Sequence, residues 1–127
     1  MLAAEATRGD LSELEYRSAR AMDLRSAKEQ GLDAYMDAHR LDAVLFPATS
    51  GAAIAAKAGY PSVQVPAGFT AGIDKKETPD FPIGATFAGR AWSEPVLLRI
   101  AYAYEQASKA RRPPSGLPPL GQGCPGD

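Results

Sequence analysis

Ser50 has the best positional claim to chemistry, standing in Ala48-Thr49-Ser50-Gly51 just after a short apolar run that closes at Pro47. Loops that follow strands are where layered α/β folds hold ligands, so a hydroxyl there is worth testing as a nucleophile. The strained G-x-S-x-G elbow that activates such a serine is absent around Ser50 and around every other serine, which favours a turn serine over a nucleophile. The single histidine, His39, sits beside Arg40 at the end of a helical pattern, and no nucleophile pairs with it; decoration of a helix end is favoured over general-base work. Gly84-Ala85-Thr86-Phe87-Ala88-Gly89-Arg90-Ala91 imitates the spacing of a phosphate loop. Arginine replaces its lysine, though, alanine replaces the hydroxyl that holds magnesium, and the run reads as a strand. Asp10, Glu13, Glu15 and Glu94 are helix-start charges, and no metal-ligand cluster or cofactor motif stands out. Trp92, Tyr102 and Tyr104 read as core aromatics rather than a stacking platform. The residues alone therefore nominate no catalytic set.

The elements that would carry these residues alternate between helix and strand. Asp10 followed by Glu13 resembles a capping box, and Leu11, Leu14, Ser18, Ala21 and Met22 recur at helical spacing, which predicts a helix from about Leu11 to Gln30. Gly31 should break it, and a second helix from about Leu32 to His39 should turn Tyr35 and Met36 toward the core. Leu41 to Phe46 reads as a strand buried on both faces, Ala52 to Ala58 as a short helix ended by Gly59, Ser62 to Val65 as a second strand and Ile83 to Ala88 as a third. Thr70 to Phe81 is polar and loop-like. Ser93, with Pro95 in the first turn, opens a final helix whose apolar face is Leu97, Ile100, Ala101, Tyr104 and Ala107. Lys109, Arg111 and Arg112 suit its C-terminal dipole, and Pro113-Pro114 stop it. The alternation predicts an α/β fold, about three strands flanked by helices.

With 14 basic and 15 acidic side chains among 127 residues, the chain lacks the positive field that drives phosphate-backbone binding, so nucleic acid is excluded as a partner on this reading. Cys124 is the only cysteine, which leaves no intrachain disulfide and no cysteine-based zinc site. No apolar run approaches a membrane span, and Met1-Leu2-Ala3-Ala4 meets Glu5 too soon for a signal-peptide core; the chain reads as untargeted and cytoplasmic. Glycine and proline concentrate in residues 113–127, a segment too poor in apolar side chains to offset its ordering entropy. Residues 1–112 are expected to fold and 113–127 to form a disordered tail.

The order of segments carries more than any single residue. Leu41-Asp42-Ala43-Val44-Leu45-Phe46-Pro47 is followed by Ala55-Ala56-Lys57-Ala58-Gly59-Tyr60-Pro61-Ser62-Val63-Gln64-Val65-Pro66-Ala67-Gly68-Phe69. Then comes Pro82-Ile83-Gly84-Ala85-Thr86-Phe87-Ala88-Gly89-Arg90-Ala91-Trp92-Ser93-Glu94-Pro95-Val96-Leu97-Leu98, leading into Ala101-Tyr102-Ala103-Tyr104-Glu105-Gln106-Ala107. In this order the segments closely resemble the C-terminal region of the amidase signature family, over about Ala3 to Pro114. The resemblance implies the C-terminal part of an α/β/α sandwich around a mixed sheet, in enzymes that hydrolyse carboxamides through an acyl-enzyme. Those enzymes use a serine nucleophile, a second serine on a cis peptide and a lysine base, with backbone amides stabilising the oxyanion.

The serines of that mechanism lie in a Gly-Gly-Ser-Ser-Gly-Gly type of stretch that is absent here. Lys28, Lys57, Lys75, Lys76 and Lys109 all match the wrong part of the family, so no catalytic residue carries over. The resemblance places the loop after Phe46 beside the substrate pocket, which nominates Thr49 and Ser50 as its rim. The expectation is a C-terminal amidase fragment, inactive alone and acting on a small amide only if completed. The alternative is a non-catalytic module, or a split-enzyme half, that docks onto a separate N-terminal amidase segment or self-associates through sheet edges and apolar faces. A subunit acting on misacylated transfer RNA is a third reading, disfavoured by the balanced charge.

Overall fold

A computed structural model of the protein describes residues 9, 11–70 and 81–113. Asp10, the segment between Thr70 and Phe81, Cys124 and nearly all of the proposed tail lie outside these residues. The first helical run is continuous: α1 (Leu14–Asp23), α2 (Leu24–Asp33) and α3 (Ala34–His39) join through right-handed helical backbone at each junction. The α2 segment is wound as a π-helix, and here the expectation that Gly31 breaks the helix is overturned. Gly31 instead permits it. A Cβ at position 31 would stand 2.6 Å from the Ser26 carbonyl oxygen, five residues back, so the widened turn closes only over a bare α-carbon. The run ends where Arg40 adopts a left-handed conformation (φ 51°), with the Leu41 N–H donating to the Met36 carbonyl at 2.9 Å. Among the described residues, no helix is long and apolar enough to cross a membrane.

The expected inward face of the first helix is also overturned. α1 buries no residue, and Leu14 and Met22 are 83% and 70% exposed. The buried anchors come later, from Leu32 and Met36, while Tyr35 points outward.

Three strands follow: β1 (Val44–Pro47), β2 (Ser62–Phe69) and β3 (Pro82–Ala88), in the spatial order β1-β3-β2. Both pairings are antiparallel, Phe46 opposing Thr86 and Gln64 opposing Thr86 from the other side, so β1 and β2 run parallel to each other with β3 between them. Helix α4 (Ala52–Ala58) connects the two outer strands and ends on Gly59 in the left-handed region (φ 73°). β2 does not stop at Pro66: it bulges between Pro66 and Gly68 and continues to Phe69, an irregularity on an edge strand that suits a residue with no N–H to donate. β1 is not buried on both faces. It is an edge strand, and Leu45 is 56% exposed.

Helix α5 (Glu94–Ser108) covers one face of β2 and β3. Ala85, Phe87 and Leu97 form the core there, with Val63, Val65, Ile100 and Tyr104 packed around them and Phe87 meeting Tyr104 edge-on at 5.6 Å. Strand alternation turns Thr86 and Ala88 to the opposite face, on the side of α4. The expected face of α5 is largely correct, except that Ala107 is exposed, and the helix stops at Ser108 on a left-handed Lys109 before the prolines are reached. Arg112 then stacks over the Phe69 ring at 3.7 Å. The result is a small sheet flanked by helices, the α/β class read from the sequence.

A polar latch ties the layers. Asp33 accepts hydrogen bonds from the Tyr60 hydroxyl at 2.6 Å and from Arg90 Nη1 at 3.2 Å, and Arg90 Nη2 reaches Asp37 at 2.5 Å. One carboxylate on α2 thereby joins the α4–β2 turn to the β3–α5 turn.

Candidate functional site

The loop after β1 is held from below by β3. Ala48 donates its N–H to the Gly84 carbonyl at 2.8 Å, and its own carbonyl accepts the Thr86 hydroxyl at 2.5 Å. Between these two bonds Ala48 takes a left-handed conformation, φ 48°, which costs an L-residue about 1–2 kcal/mol. Thr86 is only 2% exposed and is the one buried polar side chain among the described residues.

Beyond this anchor Thr49 and Ser50 stand exposed. Ser50 donates both its N–H (3.2 Å) and its hydroxyl (2.7 Å) to the Pro47 carbonyl, and the Thr49 carbonyl accepts from Ala52 N–H at 3.1 Å as the chain enters α4. A hydroxyl committed to a carbonyl three residues back is a turn serine, as its sequence context suggests. No base activates it among the described residues: His39 is at the end of α3, its ring tilted against Tyr35 at 4.6 Å.

Beside this loop, across Gly84, lies a shallow open groove of about 450 Å³ lined by Gln64, Val65, Pro66, Pro82, Ile83 and Gly84. The Gln64 side chain occupies the space beside Gly84, where a Cβ would come within 2.0 Å of its amide nitrogen. The groove and the Thr49–Ser50 turn thus share one end of the sheet, the end to which β1 and β2 both run.

The remaining chemical candidates resolve plainly. The segment from Gly84 to Ala91 is strand followed by turn, with Arg90 paired to Asp33 and Asp37, so it is not a phosphate cradle. Glu15 and Glu94 lie in first helical turns and Glu13 is an N-cap. Trp92 is not a core residue: it is 89% exposed on a left-handed turn (φ 64°), and Tyr102 is exposed too, while Tyr104 is the aromatic that packs. No group of three or more metal-ligating side chains forms among the described residues. Sequence reasoning missed the Thr86 to Ala48 bond, although Thr86 alternating with apolar Ala85 and Phe87 marks the one polar position turned to the other face. It also missed Tyr60. Burial, reinforced by the Asp33 carboxylate that accepts its hydrogen bond, pushes the Tyr60 hydroxyl up to about 12.

No protein-family profile matches the chain. Individual proteins do. The chain is 34% identical over 113 residues to a probable amidase of Arabidopsis thaliana, covering 89% of this chain and 20% of that protein. It is 43% identical over 67 residues to a glutamyl-tRNA(Gln) amidotransferase subunit of a Synechococcus species, covering 51% of this chain and 12% of that protein. Its fold superposes on the native peptide amidase of Stenotrophomonas maltophilia with a TM-score of 0.74 and 41% identity, covering 89% of this chain and 24% of that one. Along most of its length it therefore spans about a fifth to a quarter of the relatives it matches. Sequence and backbone agree: the relatives are amidases with the amidase signature fold, and this chain matches one portion of that fold.

Proposed function

We propose that this chain forms part of an amidase-type hydrolase, contributes Thr49 and Ser50 to the rim of a carboxamide pocket, and does not turn over amides by itself. What supports this is the conjunction of amidase homology along 89% of the chain with a sequence that has no adjacent serines and no lysine at a matching catalytic position. An acyl-transfer site needs its nucleophile, base and oxyanion donors assembled together, and positioning residues without them leave no path for the proton or the acyl group. The reading of the rim is supported by the anchored Ala48 turn, beyond which Thr49 and Ser50 stand exposed at the end of the sheet that also carries the groove. Incubating the 127-residue chain with an aryl amide and with a primary amide should give no more product than the heat-denatured chain; reproducible turnover above that control would overturn the proposal of an inactive segment.

A second reading is a non-catalytic module, or split-enzyme half, that docks onto a separate amidase segment or onto itself. It is favoured by the exposed Leu98 and Tyr102 on α5 and by the position of β1 and β2 as outer strands of the sheet. A monodisperse monomer by light scattering at high concentration would count against self-association.

A further inference from the structure

We propose that Thr86 is a positioning residue: from inside the sheet it holds Ala48 in a left-handed conformation and so sets where Thr49 and Ser50 stand. The proposal rests on the reading of those two residues as a pocket rim, but its geometry is independent of that reading. Left-handed backbone is costly for alanine and persists only where the surroundings over-determine it. Here two groups of one strand do so. The Gly84 carbonyl takes the N–H of Ala48, and the Thr86 hydroxyl donates to the Ala48 carbonyl.

The two bonds are unequal in what they require of sequence. The Gly84 carbonyl is backbone and would be present with almost any residue, whereas the second bond exists only because position 86 carries a hydroxyl. A valine there would match the shape and leave the Ala48 carbonyl without its donor. The turn would then keep one tether of two, and the strained φ at Ala48 could relax toward an ordinary value. Such a relaxation swings the following residues, Thr49 and Ser50, away from the groove bounded by Gly84 and Gln64. The Ser50 hydroxyl offers no substitute, since it is committed to the Pro47 carbonyl within the turn.

The test is amide hydrogen exchange and chemical shift on the isotope-labelled chain, comparing wild type with Thr86→Val and Thr86→Ser. Loss of this part-buried hydrogen bond should speed exchange at the Ala48 amide about tenfold beyond any change common to the β2–β3 ladder, and should move the Thr49 and Ser50 resonances. Thr86→Ser, which keeps the hydroxyl, should restore both. Ala48 exchange that merely follows the ladder in Thr86→Val, or a Thr86→Ser chain that behaves like Thr86→Val, would overturn the proposal. If Thr86→Val does not fold, the wild-type chain decides: a slowly exchanging Thr86 hydroxyl proton with a cross-peak to Ala48 supports the tether, and its absence at low temperature refutes it. The rim reading fails separately, if millimolar benzamide leaves the Thr49 and Ser50 resonances of the wild-type chain unmoved while the Thr86 results hold.

Discussion

Ala48 and Tyr60 show how single residues record demands that composition hides. Replacing Ala48 by glycine removes the left-handed penalty, and the unfolded-chain entropy that glycine adds offsets only part of that gain. Ala48→Gly should therefore raise the unfolding free energy by about 0.5–1 kcal/mol in a urea titration. Tyr60 makes a prediction in pH. Its proton is held more tightly in the folded chain than in the unfolded one, with a folded value of about 12 against the ordinary 10.0. The stability it confers is therefore complete below pH 10 and is lost as pH rises from about 10 through about 12. Tyr60→Phe should cost about 1–2 kcal/mol at neutral pH and should flatten the alkaline fall of stability relative to wild type, as followed by circular dichroism. Neither behaviour could be read from the sequence, because Ala48 carries no sign of its φ and the partner of Tyr60, Asp33, lies 27 positions away. What was legible at this scale was local: Ser50 as a turn serine, and Glu94 and Pro95 as helix openers.

At the level of elements, strands and helices announced themselves wherever apolar residues are grouped for burial. β3 and α5 emerge nearly as the pattern predicts, since one is a short run buried continuously from Ala85 to Ala88 and the other lays Leu97, Ile100, Ala101 and Tyr104 on one side. The failures share a form: a residue that usually ends an element sits inside one. Pro66 should end β2 but falls where an edge strand bulges, and Gly31 should end a helix but falls where a π turn brings a carbonyl against it. Gly31→Ala offers a test whose sign separates the two views. A glycine exposed in ordinary α-helix gains roughly 1 kcal/mol on replacement by alanine, whereas a Cβ forced onto the Ser26 carbonyl should lose about 1–3 kcal/mol. Thermal unfolding of the variant reads the difference directly. Leu97→Ala, which empties the contact between α5 and the sheet, should cost about 2–4 kcal/mol in the same measurement.

The whole molecule combines a modest core with apolar surfaces left open: Leu45 on the outer strand, Leu98 and Tyr102 on α5, Leu14 and Met22 on α1. If α5 is a contact surface, as the second reading holds, Leu98→Glu should shift the chain toward monomer in light scattering and leave its far-ultraviolet spectrum unchanged. The likeness to amidases was legible because the order of three segments survives in the sequence, while the conformation of the turn at Ala48 depends on contacts across the sheet that no linear pattern encodes. The strand order has one more consequence, for synthesis. β1 and β2 are made first yet do not pair with each other, because β3 lies between them and is made last. Within this three-stranded sheet, β1 and β2 therefore lack their shared partner until residues 82–88 emerge from the ribosome. Any pause in translation before that point would leave the nascent segment open to capture by chaperones or to pairing with its neighbours.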